Sequence, residues 1–153
     1  MLKKFSKLIL TLCLAAAFYS HAYAEAFIDS TRVWSAQDYT RLTLESAKLV
    51  RYRQFTLNNP QRLVIDLHDV SMNAALKSLA SKISSDDPYI RSVRVGLFKP
   101  DTVRLVLDLK TEVKPQLFNL KPVGEYGHRL VLDIYPEHPV DPLVALLQSL
   151  EEK

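Results

Sequence analysis

Cysteine is almost missing from this chain: Cys13 is the only one in 153 residues, and it falls within the first 24. A domain that begins after that segment has no thiol, forms no disulfide and must be held together by its core. Glycine is nearly as scarce, with Gly96, Gly124 and Gly127 the only three, so no glycine-rich phosphate loop of the P-loop or dinucleotide type can be drawn. An excess of positive charge is missing as well. The chain carries 20 Lys+Arg against 17 Asp+Glu, but Lys3, Lys4 and Lys7 lie in the first 24 residues and no acid does, which leaves 17 of each. A formally neutral domain offers no concentrated positive surface to displace counterions from phosphates, and a nucleic-acid partner is not expected. Nor is there an apolar run of the roughly 20 residues needed to cross a bilayer, so no permanent membrane anchor is expected.

What the first 24 residues do contain is the pattern of a secretory signal peptide. Lys3, Lys4 and Lys7 form a positive start, Leu8 to Phe18 an apolar stretch, and Ala22-Tyr23-Ala24 a small-x-small cleavage site. Cleavage is expected after Ala24, leaving an exported domain that begins at Glu25. Cys13 follows Thr11 and Leu12 rather than a small residue, which argues against a lipoprotein, and the Lys-Lys pair favours the general secretion route over the twin-arginine one.

The remaining chain is duplicated. RLVIDL at Arg62 to Leu67 recurs as RLVLDL at Arg104 to Leu109 and RLVLDI at Arg129 to Ile134, with a weaker copy, RLTLES, at Arg41 to Ser46. FIDSTRVW at Phe27 to Trp34 matches YIRSVRVG at Tyr89 to Gly96, and the match continues through Arg41/Arg104, Phe55/Phe118 and Asp66/Asp133. Aligned in this way, the halves share 15 identities over the 41 positions from Phe27 to Leu67. Chance at ordinary residue usage gives about two or three, so the halves are related.

Each half reads as four short strands, because its apolar residues alternate and are rich in Val, Ile and Leu. The strands fall near 27–34, 39–46, 51–57 and 62–67, then 89–97, 102–109, 115–120 and 129–135. Asn58-Asn59-Pro60, Lys99-Pro100-Asp101 and Lys121-Pro122-Val123-Gly124 mark turns. Between the halves, Leu76, Leu79, Ala80 and Ile83 predict one helix over Asn73 to Ile83, capped by Ser71 or Asn73. Two four-stranded sheets with one apolar face each bury those faces by packing together, which predicts a mainly β fold, a sandwich with one helix between the halves. The expected organisation is a signal peptide at 1–24, a β domain at 25–136 with repeat halves at about 27–67 and 89–135, and a linker with a short helix at 137–153. Pro136, Pro139 and Pro142 mark that linker, and Asp141-Pro142 starts the helix through Leu143, Leu146, Leu147 and Leu150.

Period 2 places Leu63, Ile65 and Leu67 on the core side of their strand and Arg62, Val64 and Asp66 on the outer side. Arg104 and Asp108 share an outer face in the same way, as do Arg129 and Asp133, and Arg32, Arg94 and Arg91 add to these surfaces. Two readings stand. The pairs are a cross-strand charge lattice worth about 0–1 kcal/mol per exposed pair, or they form a flat surface of guanidinium groups and carboxylates that suits sugar hydroxyls, acetamido groups and peptide carboxylates. Trp34 and Tyr126 are stacking platforms or parts of the core rim. Catalysis finds little support: His68, His128 and His138 lie in no metal-ligand spacing, and no H-E-x-x-H, G-x-S-x-G or cysteine nucleophile is present after residue 24. Asp86-Asp87-Pro88 reads as a turn rather than a calcium site.

Several of these motifs together resemble an AMIN domain. R-V-W at Arg32 to Trp34, N-P-x-R-L-V-I-D-L from Asn59 to Leu67, V-R-V-G from Val93 to Gly96 and T-V-R-L-V-L-D-L from Thr102 to Leu109 carry the likeness, with K-P-Q-L-F at Lys114 to Phe118 and R-L-V-L-D-I-Y-P at Arg129 to Pro136. With D-P-L-x-A-L-L at Asp141 to Leu147, the chain is similar to the N-terminal part of periplasmic N-acetylmuramoyl-L-alanine amidases of the cell-division type. The resemblance implies two symmetry-related sheets, a periplasmic location, binding to peptidoglycan and direction of an amidase to the division septum. It also implies division-site proteins or a separate amidase domain as partners. The zinc amidase motif of D-P-G-H-G type is absent from this sequence, so no catalytic residue, metal ligand or cofactor is assigned and the chain is expected to be non-catalytic. With peptidoglycan as the ligand, the residues of the outward Arg/Asp faces, Arg62, Asp66, Arg104, Asp108, Arg129, Asp133, Arg32 and Arg94, are the expected binding residues. AMIN domains also occur in pilus secretins, which leaves a protein-interaction module of an envelope assembly as the alternative.

Overall fold

The computed structural model describes residues 25–139 and 141–151. The proposed signal peptide and its cleavage site therefore lie outside the described residues. Eight strands follow one another as β1 (Ile28–Ser35), β2 (Thr40–Ser46), β3 (Arg51–Leu57), β4 (Arg62–His68), β5 (Ile90–Lys99), β6 (Thr102–Leu109), β7 (Val113–Leu120) and β8 (His128–Pro136). They form two four-stranded antiparallel sheets, ordered β1-β2-β8-β7 and β3-β4-β6-β5. The sandwich expected from the sequence is present.

The repeat halves do not each make a sheet. One hairpin of the first half pairs with one hairpin of the second, through β2 with β8 and through β4 with β6. Those two joints place the strands with the richest aliphatic alternation at the centre of each sheet, where both neighbours satisfy the backbone. Leu42, Leu44, Leu130, Leu132 and Ile134 from one sheet and Leu63, Ile65, Leu67, Leu105 and Leu107 from the other build one continuous core. Since each sheet draws strands from both halves, neither half can bury its apolar faces alone. The duplication persists in detail: register shifts fall at Ile28/Ser30 in β1 and at the equivalent Ile90/Ser92 in β5. Across the sandwich, the Tyr52 hydroxyl of β3 donates to the Leu117 carbonyl of β7 at 2.8 Å.

The connection between the halves is shorter in its α-helical part than the apolar spacing predicts. α1 (Ala74–Lys77) is one turn, and a 3-10 turn (Ser78–Lys82) follows. Asn73 is the cap: its side chain accepts from the Leu76 amide at 3.0 Å while its amide donates to the Ile28 carbonyl at 2.8 Å. The serine hydroxyls break the α pattern by bonding backwards, Ser78 to the Ala75 carbonyl and Ser81 to the Ser78 carbonyl, both at 2.8 Å. Leu76 and Leu79 are fully buried in the core cluster.

The Asp86-Asp87-Pro88 turn does more than reverse the chain. Asp87 is completely buried, and its carboxylate accepts the Ser35 and Thr40 hydroxyls and the Tyr89 and Ile90 amides. It thereby ties the end of β1 and the start of β2, in one sheet, to the start of β5 in the other. After β8, α2 (Pro142–Glu151) begins with the Leu143 amide donating to Asp141 at 2.9 Å. Among the described residues, no helix is long and apolar enough to cross a membrane.

Candidate functional site

The eight sequence-predicted residues divide between two opposite surfaces. Arg62, Asp66, Arg94, Arg104 and Asp108 lie on the outer side of the β3-β4-β6-β5 sheet, and Arg32, Arg129 and Asp133 on that of the β1-β2-β8-β7 sheet. On the first surface the registers set Arg62 opposite Asp108 and Asp66 opposite Arg104. On the second they set Arg129 opposite Glu45 and Asp133 opposite Arg41. Each rung is the repeat-equivalent of its counterpart. Because β4 and β8 occupy corresponding places in the two sheets, the duplication prints the same ladder twice.

The strongest rung on each surface is a forked ion pair. Arg104 donates from Nε and an Nη to the two oxygens of Asp66 at 2.6 and 2.8 Å, and Arg41 does the same to Asp133 at 2.6 Å for both bonds. Each pair joins one half of the duplication to the other. The Arg104 fork holds the Asp66 carboxyl below the usual carboxylate range against the opposing effect of burial, and raises Arg104 in turn. Asp133 similarly raises Arg41. A second rung repeats too: Arg94 pairs with Asp108 at 3.0 Å and Arg32 with Glu45 at 2.6 Å. Burial pushes the Asp108 carboxyl up, but hydrogen bonds from Arg94 and Ser92 outweigh it and leave it below the usual range.

The burial of the carboxylates corrects one expectation. Asp66 and Asp133 are on outer faces yet only 5% and 2% exposed, and Val64 and Val131 beside them are buried as well. Both strands are interior to their sheets, so arginines and phenylalanines of the flanking strands, Phe55 opposite Val64 and Phe118 opposite Val131, close over them. The two carboxylates are thus committed to orienting arginines and are not open surface groups. By contrast, Nε of Arg62 and of Arg129 is buried without a hydrogen-bond partner.

The aromatic residues differ between the surfaces. On the β1-β2-β8-β7 sheet, Trp34, Tyr39 and Tyr135 form a row with ring centroids 5.1 and 5.2 Å apart, next to Arg41. Tyr126 lies 5.5 Å from the Arg32 guanidinium and 5.3 Å from that of Arg129. Trp34 and Tyr126 are both about half exposed, which makes them surface platforms rather than core. On the β3-β4-β6-β5 sheet, Phe98 packs 3.5 Å from the Arg104 guanidinium, and a groove of about 430 Å³ opens between Arg53, Phe55, Lys99 and Arg104. Sequence reasoning missed Arg41, Arg53, Phe55, Phe98 and Lys99 as surface residues. Arg41 was legible through its alignment with Arg104, whereas Phe55 aligns with Phe118, which was not read as a surface residue either, and Lys99 was read only as part of a turn.

Fold and faces together define an internally duplicated β-sandwich whose polar chemistry is carried on two broad, pseudo-symmetric sheet surfaces. The chain belongs to the AMIN-domain family, whose model matches residues 30–134. It is 52% identical over 123 residues to N-acetylmuramoyl-L-alanine amidase AmiC of Escherichia coli, a match spanning 78% of this chain and 30% of that protein. It is 48% identical over 122 residues to the Neisseria meningitidis protein of the same name, spanning 78% and 29% respectively. The chain thus spans less than a third of the length of these curated relatives.

Proposed function

We propose that this chain is a non-catalytic peptidoglycan-binding module, exported to the periplasm by a cleaved signal peptide, that places an N-acetylmuramoyl-L-alanine amidase at the division septum. The observation that carries the reading is the doubled ladder. Arginines held in fixed orientation by buried carboxylates, beside exposed aromatic rings, present directed donors and stacking surfaces on both sides of one small domain. A polymer rich in hydroxyl, acetamido and carboxylate groups matches that chemistry, and the family and its amidase relatives concern the same polymer. Arg62, Arg104, Arg129, Arg32 and Arg94 supply donors, together with Arg41, while Asp66, Asp108 and Asp133 set the geometry of Arg104, Arg94 and Arg41 respectively.

Sedimentation with purified sacculi tests the proposal. The purified chain is expected in the pellet under conditions where a known wall binder pellets. Protein left wholly in the supernatant would refute it, and crosslinking in cells to a pilus or other envelope protein would then favour an interaction module.

A further inference from the structure

The two outer surfaces share a ladder but differ most in chemistry at one rung. On one sheet that rung runs Trp34, Arg41, Asp133, Gln116; on the other it runs Gly96, Arg104, Asp66, Arg53. The indole has been replaced by nothing and the neutral amide by a guanidinium. Neither packing nor backbone requires glycine at 96, since a Cβ there meets no heavy atom within 4 Å and its φ is not in the left-handed region. The consequence is an open surface beside Arg104, continuous with the 430 Å³ groove through Phe98 and Arg104.

The groove carries more cationic donors than open carboxylates. Arg104 uses two of its five N–H groups on Asp66. Arg53 and Lys99 are exposed and, among the described residues, take part in no ion pair. Of the carboxylates lining the groove, Asp66 turns both oxygens to Arg104, while the exposed Asp101 accepts the Thr102 hydroxyl at 3.0 Å on one oxygen, so three cations face one partly open carboxylate. A sugar hydroxyl needs both donors and acceptors, whereas a carboxylate needs donors only. Phe55 and Phe98 add apolar walls for small aliphatic side chains.

Building on the peptidoglycan reading, we infer that this groove is a subsite for the carboxylates of the wall's peptide stems, with Arg53, Lys99 and the free edge of Arg104 as donors. The equivalent place on the opposite sheet, covered by the Trp34-Tyr39-Tyr135 row, does not share that role. The two sheets are therefore unequal in ligand class despite their common ladder.

The test is calorimetric titration of the purified chain with a muramyl peptide bearing free carboxylates, the same compound with its carboxylates amidated, and peptide-free glycan. The free acid is expected to bind best. Amidation, the double substitution R53Q/K99Q and the groove-filling Gly96→Trp should each weaken binding about tenfold or more. All these substitutions are at exposed positions, and circular dichroism checks that the fold is kept. Equal affinity for acid and amide, no measurable binding of the acid, or full affinity in R53Q/K99Q would overturn the inference. Sacculus sedimentation by the unmodified chain, measured in parallel, separates that failure from failure of the wall-binding reading itself.

Discussion

Removing the charge at Asp87 provides a demanding test of how the two sheets are held together. The carboxylate is fully buried and accepts four hydrogen bonds, two from hydroxyls and two from backbone amides. Asp87→Ala strips all four and leaves the Tyr89 and Ile90 amides without an acceptor. Hydrogen bonds to a charged group contribute about 1.5–3 kcal/mol each, but partial relaxation and water entry reduce the total, so a loss of about 3–5 kcal/mol is expected. For a domain of this size, that lowers the melting temperature by about 10–20 °C. Asp87→Asn keeps one oxygen for the amides and should lose about 1–2 kcal/mol.

The pH dependence follows from the direction of the shift. Burial pushes the Asp87 carboxyl up, but bonds from Ser35, Ile90, Thr40 and Tyr89 outweigh burial and leave it below the ordinary carboxylate value. A carboxyl that binds its proton more weakly when folded contributes stability in full above its unfolded value, near 3.9, and loses it as pH falls through the folded value. Thermal melts of the native chain and Asp87→Asn should therefore differ by a constant amount from about pH 7 to 5 and converge below about pH 4. Asp66 and Asp108 are shifted the same way and steepen the acid slope of both proteins, so only the difference reports Asp87. Equal stability at pH 7, or a gap that persists undiminished to about pH 2, would refute this role for Asp87.

Three other outcomes follow. Arg104→Ala leaves the buried Asp66 carboxylate without its fork and should cost about 2–3 kcal/mol in urea unfolding, whereas the double variant Asp66→Ala/Arg104→Ala should recover part of that loss. Gly127→Ala drives a Cβ to 2.6 Å from the Ser46 carbonyl oxygen, and it should destabilise by about 1–3 kcal/mol, while Gly96→Ala, facing open space, should be near neutral. Trp34 is the chain's only tryptophan and lies on the aromatic surface. Its emission should respond to ligands bound beside Tyr39 and stay unchanged when an acidic muramyl peptide fills the opposite groove, which a fluorescence titration reads directly.

How much of this was legible in the sequence depends on whether the information is local. Strand positions follow from short-range alternation, and the repeat identifies them twice, so β1 to β8 were found within a few residues of their observed limits. The exchange of hairpins between sheets is not local: Arg41 and Asp133 are 92 residues apart and meet only because β2 pairs with β8. The burial of Asp66 has the same origin, since a strand's outer face is covered only when its neighbours are known. Asp87 was visible as a turn residue, but its carboxylate's partners come from β1, β2 and β5. The groove was hidden because Arg53, Phe98 and Lys99 lie on edge strands outside the RLVLDL motif, and Gly96 signals only by comparison with Trp34.

The wall-binding claim is tested most directly by sacculus sedimentation of the native chain beside Arg62→Gln/Arg129→Gln. These two arginines occupy equivalent rungs on the two surfaces, and the Nε of each lacks a hydrogen-bond partner within the chain. Unlike Arg104 they can be changed without stranding a forked carboxylate. Native chain in the pellet, with the double variant folded but largely in the supernatant, is the predicted result. A native chain that stays in solution, or a variant that pellets equally well, would contradict the account.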